Sequence, residues 1–121
     1  MPTSDELERR NGWFVCAVMS GYEYIVVEEI KKLMEEEKWE GIIRDVFVPM
    51  EEVTYKNGTK RNKVMPIYKR TVFINMVLTQ NAYHAIKEVR GFLTPLPPRE
   101  PTPVPLEQME KPLKYKIDED N

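Results

Sequence analysis

Apolar and polar positions follow three rhythms along the chain. Trp13 to Met19 (WFVCAVM) is an unbroken run of aromatic, β-branched and small apolar residues, the pattern of a central strand covered on both faces. Ser20-Gly21-Tyr22-Glu23 follows directly. A serine with glutamate three residues later reads as a capping box, in which the hydroxyl takes an orphan amide and the carboxylate reaches back. The helix it opens places Tyr22, Val26, Ile30, Leu33 and Glu37 in one row, while Glu28, Glu29, Lys32, Glu35 and Glu36 fill a solvated face. Trp39-Glu40-Gly41 ends it, glycine suiting a left-handed C-terminal position.

Ile42 to Tyr55 is β-rich and interrupted by Pro49, which predicts a bend or an edge. Asn57-Gly58 is the preferred pair for a two-residue type I′ turn, so Val53–Lys56 and Thr59–Val64 are expected to form a hairpin with a basic tip. Thr71 to Leu78 (TVFINMVL) reads as a second central strand. Asn81 to Val89 has Tyr83, Ile86 and Val89 at helical spacing, with Thr79 or Asn81 as N-cap. Seven of the ten prolines then fall between Pro95 and Pro112, which favours an extended path. Leu106 to Met109 suits one helical turn after Pro105. The expected organisation is a leader over 1–11, one domain over 12–110 and an acidic linker or tail over 111–121. The fold class is α+β, a small antiparallel β-sheet flanked by helices.

Composition narrows the function. At 121 residues the chain holds one core. No apolar run approaches the roughly 20 residues that span a bilayer, and Met1 to Arg10 are polar with no apolar h-region, so secretion is not expected. One cysteine, Cys16, rules out an internal disulfide and fits a reducing, cytoplasmic setting. With one histidine besides, a His/Cys metal site is not expected. The net charge of −2 hides strong sorting. No acidic residue occurs between Glu52 and Glu88, a stretch holding Lys56, Lys60, Arg61, Lys63, Lys69, Arg70 and Lys87. From Glu23 to Glu40 carboxylates outnumber lysines by more than two to one, and the chain closes on Asp118, Glu119 and Asp120. A phosphate chain responds to such local fields rather than to the average; solubilising an exposed hairpin is the other use of these lysines.

Signatures of catalysis are scarce. There is no Gly-rich phosphate loop, G-x-S-x-G or H-E-x-x-H. Cys16 and His84 could pair on paper, but a thiol inside an apolar strand packs as a small hydrophobe. Adjacent Glu51 and Glu52 point to opposite faces of a strand. Binding without catalysis, and without a cofactor, is the expected activity.

One resemblance sharpens this. Trp13-Phe14-Val15-Cys16-Ala17-Val18-Met19-Ser20-Gly21-Tyr22-Glu23 resembles the opening signature of the NusG amino-terminal (NGN) domain family. Val46-Phe47-Val48-Pro49-Met50-Glu51-Glu52-Val53 resembles its V-x-V-P-T-E-E-V. The segments Tyr55 to Arg61, Met65 to Tyr68, Val72 to Met76, Asn81 to Lys87 and Pro103 to Leu106 follow in the family's order, so the likeness covers roughly Gly12 to Met109. It implies a transcription elongation domain that binds RNA polymerase at the β′ clamp helices and the β gate loop, bridging the DNA cleft and sometimes touching the non-template strand. Carried over, Phe14, Ile67 and Tyr68, with Lys69 and Arg70 beside them, fall at the clamp-binding pocket. Asn81, Ala82, Tyr83 and His84 fall where the family meets the gate loop. Lys87, Glu88, Val89 and Arg90 fall where the family faces the non-template strand, with Lys87 and Arg90 suited to phosphates and Glu88 repelling them. Apart from the resemblance, the basic hairpin offers Lys56, Lys60, Arg61 and Lys63 to nucleic acid. Tyr22 or Tyr24 near the helix start offers a ring for stacking bases, although Tyr22 also fits the buried stripe of the helix. Phe14 on a central strand has simple core as its other reading, and Trp13, its neighbour on the opposite face, is expected in the core.

Two departures stand out. The family's Pro-Gly-Tyr after the pair matched by Ile67-Tyr68 is Lys69-Arg70-Thr71 here, and its Gly-rich loop becomes Gly91-Phe92-Leu93-Thr94-Pro95-Leu96. A general factor and a specialised paralogue both remain open. The family's second module, a KOW barrel that recruits Rho or the ribosome, is not expected within this chain. The alternative is a stand-alone module that binds single-stranded DNA or an RNA hairpin through the basic 56–70 segment.

Overall fold

The computed structural model describes residues 10–54 and 62–116. Its axis is the antiparallel pair of β1 (Asn11–Val18) and β5 (Thr71–Val77), in register from Asn11↔Val77 to Ala17↔Thr71. β2 (Ile43–Phe47) flanks β5, and β6 (Phe92–Pro95) flanks β1, giving the order β2-β5-β1-β6. β3 (Met50–Thr54) and β4 (Asn62–Pro66) form a separate two-stranded sheet. Their pairing down to Thr54↔Asn62 agrees with the expected hairpin, whose Asn57-Gly58 turn lies outside the described residues. Val48-Pro49 is the expected interruption between β2 and β3.

The sheet has two covered faces. On one, α1 (Glu23–Met34) and α2 (Gln80–Lys87) bring Val26, Ile30, Ala82 and Ile86 against Phe14, Cys16, Val18, Val72, Ile74 and Met76. On the other, α3 (Leu106–Lys114) lowers Met109 onto Phe47 and Phe73, with Trp13, Val15, Tyr68 and Val104 around it. The expected α+β arrangement is present, with a third helix added. Thr79 is the N-cap of α2, its Oγ1 accepting from the Ala82 N–H at 3.1 Å.

Four expectations are corrected. The capping box does not form: Tyr22 is the N-cap, no side chain caps the first turn, and Glu23 is the first helical residue. From that position its carboxylate turns toward the sheet, as described below. α1 stops at Met34 instead of running to Trp39, because Glu36 is extended and a 3-10 turn (Glu37–Trp39) then buries the indole. The stretch after α2 holds β6, and the prolines beyond it continue along the same edge of β1. Leu96 N–H donates to Val15 O at 3.0 Å and Val104 N–H to Trp13 O at 2.7 Å. α3 runs through Lys114 where the sequence reads a tail from Lys111. Pro112, inside it, is buried. A proline this close to a helix end removes one bond and leaves most of the helix intact.

Burial sets the expected cost of losing each contact. Met109 is fully buried while Leu106, on the same helix, is 81% exposed. Met109→Ala should cost about 2–5 kcal/mol and Leu106→Ala less than about 0.5 kcal/mol in urea unfolding. Equal midpoints for the two variants would show that α3 is not docked through Met109.

Candidate docking surface

Four aromatic rings from four separate segments meet under α3. Trp13 of β1 meets Phe47 of β2 edge-on at 5.1 Å between centroids. Phe47 stacks on Phe73 of β5 at 5.6 Å, and Tyr68, in the turn before β5, meets Phe73 edge-on at 5.9 Å. Such pairs add about 0.5–1.5 kcal/mol beyond the area they bury. The Lys116 ammonium lies 5.7 Å from the Phe47 ring and pairs with Asp45. Phe47 and Phe73 are buried, whereas Trp13, Ile67 and Tyr68 are half-buried. The row therefore has a buried root and a partly open end at Tyr68, next to exposed Lys69 and Arg70.

The turn from Ile67 to Arg70 is pinned at several points. Ile67 N–H donates to Pro49 O at 3.0 Å, and the Thr71 hydroxyl donates to Lys69 O at 2.9 Å. Arg70 has a φ of 54°, a left-handed conformation. Its carbonyl accepts from Val18 N–H at 3.0 Å. Its N–H donates to Oε1 of Glu23 at 3.1 Å. Where the resemblance places glycine, this chain holds a larger residue in a left-handed conformation.

Strand parity corrects two assignments. Phe14 is fully buried on the α1/α2 side, so it backs the sheet instead of lining an open pocket; Trp13 is the residue that joins the aromatic row. Neighbours on a strand point to opposite faces, and the side that Phe14 takes is filled by two helices. Ala82, likewise, is fully buried on the sheet-facing side of α2 and is no surface contact. Asn81 and His84 are exposed, and Tyr83 is half-buried with the Lys87 ammonium 5.5 Å from its ring. A cleft of about 910 Å³ opens beside them, with Arg10, Asn11, Tyr83 and Arg99 in its wall. The Ile67–Arg70 turn precedes β5 and the Asn81–His84 group follows it, so the two lie at opposite ends of one seven-residue strand, roughly 20 Å apart at about 3.3 Å per residue.

Of the cations, Lys87 and Arg90 are exposed. Arg90 sits over the Tyr22 ring at 5.6 Å and donates to its hydroxyl at 3.4 Å. Gly91, at φ 90°, packs so closely that a Cβ there would come within 2.5 Å of the same ring. Tyr22 is thus already sandwiched, while Tyr24 is half exposed with its hydroxyl against Met50 Sδ. Lys56, Lys60 and Arg61 lie outside the described residues, and Lys63 pairs with Val53 in the β3–β4 register.

Local spacing missed Glu23 as part of this site. The available signal is its row on the helix: Glu23, Val26, Val27 and Ile30 fall at i, i+3, i+4 and i+7, and all four are buried. Cys16 is fully buried and burial pushes its thiol well above the usual range, so it is no nucleophile. Among the described residues, no cluster of three or more His, Cys, Asp or Glu could hold a metal, and no helix is long and apolar enough to cross a membrane.

The left-handed Arg70 gives a test of the turn. A non-glycine residue there carries about 1–2 kcal/mol of strain, partly offset by the unfolded-state freedom that glycine regains, about 0.4–1 kcal/mol. Arg70→Gly should leave stability unchanged or raise it by up to about 1.5 kcal/mol, whereas β-branched Arg70→Val should lower it. Denaturant midpoints check the order, and a Val variant as stable as the Gly variant contradicts the geometry.

The family profile described as "Transcription termination factor nusG" matches residues 11–113. The chain is 28% identical over 102 residues to the transcription termination/antitermination protein NusG of Buchnera aphidicola subsp. Baizongia pistaciae, covering 81% of this chain and 55% of that protein. It is 25% identical over 112 residues to the NusG of Haemophilus influenzae, covering 89% and 59%. A solved structure of Thermotoga maritima NusG, concerned with its domain interaction, shares the fold at TM-score 0.68 and 23% identity, over 87% of this chain and 56% of that one. The chain thus spans somewhat over half the length of these relatives. With a profile match across both sheet faces and all three helices, the chain belongs to the NusG family.

Proposed function

We propose that this domain acts in transcription termination or antitermination by docking on RNA polymerase through the turn that carries Ile67 and Tyr68. The observation that carries the reading is the aromatic row: Tyr68 is partly open to solvent, rooted through Phe73 and Phe47 in the core, and presented by a pinned turn. A preorganised aromatic anchor loses little freedom on binding, which is what makes such residues dominate interface energies. The clamp helices of the β′ subunit are the proposed partner, with Lys69 and Arg70 at the rim. Phe14 has no part in the contact surface.

At the far end of β5, Asn81, Tyr83 and His84 are the proposed contacts to the β gate loop. Two contacts held at a fixed spacing by one strand suit a bridge across the cleft. Lys87 and Arg90 on the α2 side are candidates for phosphates of the non-template strand; their contribution would fall steeply with salt. Rho or ribosome recruitment belongs to a KOW module if the native protein carries one. The acid-free stretch from Val53 to Lys87 supports a second reading, a polymerase-independent binder of single-stranded DNA or an RNA hairpin through Lys56, Lys60, Arg61 and Lys63.

Binding to core RNA polymerase separates the two. Tyr68→Ala should weaken the complex by about 10-fold or more, as expected for an anchor worth upwards of 1.4 kcal/mol. It should lower stability by about 1–3 kcal/mol, from the half-buried area of the ring together with its edge contact to Phe73, so unfolding is measured alongside binding. Unchanged affinity removes the docking site. A gel shift with labelled single-stranded DNA at low salt, insensitive to Tyr68→Ala, would favour the second reading instead.

A further inference from the structure

We propose that Glu23 is a positioning residue for the docking turn: from the first turn of α1, its carboxylate holds Arg70 in the left-handed conformation that aims Tyr68 outward. The inference rests on the docking function proposed for Ile67 and Tyr68. Glu23 is nine-tenths buried, the one charged residue in the domain's buried set among the described residues. Its Oε1 accepts the Arg70 N–H at 3.1 Å across 47 residues of sequence. A buried carboxylate is costly unless it is given donors, so its presence in the row of Val26, Val27 and Ile30 calls for a reason beyond packing.

The backbone it grips is the one that needs gripping. Arg70 is the only non-glycine residue with positive φ among the described residues. Such a conformation persists where its surroundings over-determine it. Two bonds do so here. Val18 N–H holds the Arg70 carbonyl, a main-chain bond that any residue at position 18 other than proline can make. Glu23 holds the Arg70 N–H, and only a side-chain acceptor of this reach, on this helix face, can do that. With glycine at position 70 the left-handed state would carry little penalty; with arginine it depends on the acceptor. Once Arg70 relaxes to negative φ, the chain before it rotates, and Tyr68, two residues upstream, leaves the Phe73 edge contact. The partner would then have to select the outward turn from an ensemble, which lowers apparent affinity by the fraction populated.

The test is a double-mutant cycle on core polymerase binding, read with amide exchange. Glu23→Ala is expected to weaken binding by about 10-fold, whereas Glu23→Gln, which keeps a carbonyl acceptor, stays within about 2-fold. In an Arg70→Gly background, Glu23→Ala should cost less than about 3-fold, because glycine needs no help to stay left-handed. Hydrogen exchange at the Arg70 amide should speed up in Glu23→Ala while exchange at Ile74, in the middle of β5, does not. Glu23→Met fills a similar volume with only a weak sulfur acceptor in place of the carboxylate and replaces the alanine variant if that one unfolds. Equal losses in both backgrounds, or uniform acceleration of exchange, make Glu23 merely structural and overturn the proposal. Tyr68→Ala, measured alongside, distinguishes the failures. If it weakens binding while Glu23→Ala does not, the positioning role fails alone. If neither variant weakens binding, the docking site itself is lost.

Discussion

The register of β1 against β5 decides what every side chain of the central sheet can do. Phe14↔Ile74 and Cys16↔Val72 pair on the α1/α2 face, while Trp13↔Asn75 and Val15↔Phe73 pair on the α3 face. A slip of one residue would exchange the two sets. It would put Trp13 under the helices and Phe14 among the aromatic rings. Neither exchange is tolerable, because both faces are packed. The register is held by seven consecutive residue pairs and by the fit of each face to a different cover. Burial on both sides also explains the uninterrupted apolar run at Trp13–Met19: a strand covered on both faces has no place for polar alternation.

That same run is why the sequence was legible in outline and ambiguous in detail. Unbroken apolar segments identified β1 and β5, the proline between β2 and β3 marked their break, and the row on α1 predicted its buried face. All of these are short-range signals. Which way β1 faces is not written in a run without alternation, so Phe14 and Trp13 could be assigned to the wrong sides. β6 escaped because four residues ending in proline carry little strand signal; what stabilises them is the free edge of β1. α3 was cut short as well. The sequence reads one turn over Leu106 to Met109 and a tail from Lys111, yet the helix runs through Pro112 because Met109 is held against Phe47 and Phe73, contacts from distant strands that outweigh one missing hydrogen bond.

Glu23 shows how a correct motif can carry the wrong mechanism. Ser20 and Glu23 have the spacing of a capping box, and a helix does begin there. Gly21, with φ 84°, places the start later, so Glu23 occupies the first helical position and cannot reach back over a turn. Its carboxylate meets the demand of a distant donor instead, the amide of Arg70. Local spacing cannot distinguish the two uses; the apolar neighbours of Glu23 on the helix face can, since a capping glutamate is normally solvated and this one is buried.

Charge follows the same division of faces. Glu28 and Glu29 of α1 lie outward on one side of the sheet, and the aromatic row opens on the other, flanked by Lys69 and Arg70. A net charge of −2 is what remains when these regions are summed. The separation matters because exposed charges act over about a Debye length, roughly 8–10 Å at moderate salt, which is comparable to the thickness of one helix layer on the sheet. The outward carboxylates of Glu28 and Glu29 are therefore largely screened from the Tyr68 end. The α1 carboxylate that does reach that end is Glu23, which is buried and taken up by the Arg70 N–H, while the Lys69 and Arg70 side chains are exposed. The two-faced strand that separates Phe14 from Trp13 thus also separates the fields, and one near-neutral domain can offer a cationic, aromatic edge without being a basic protein.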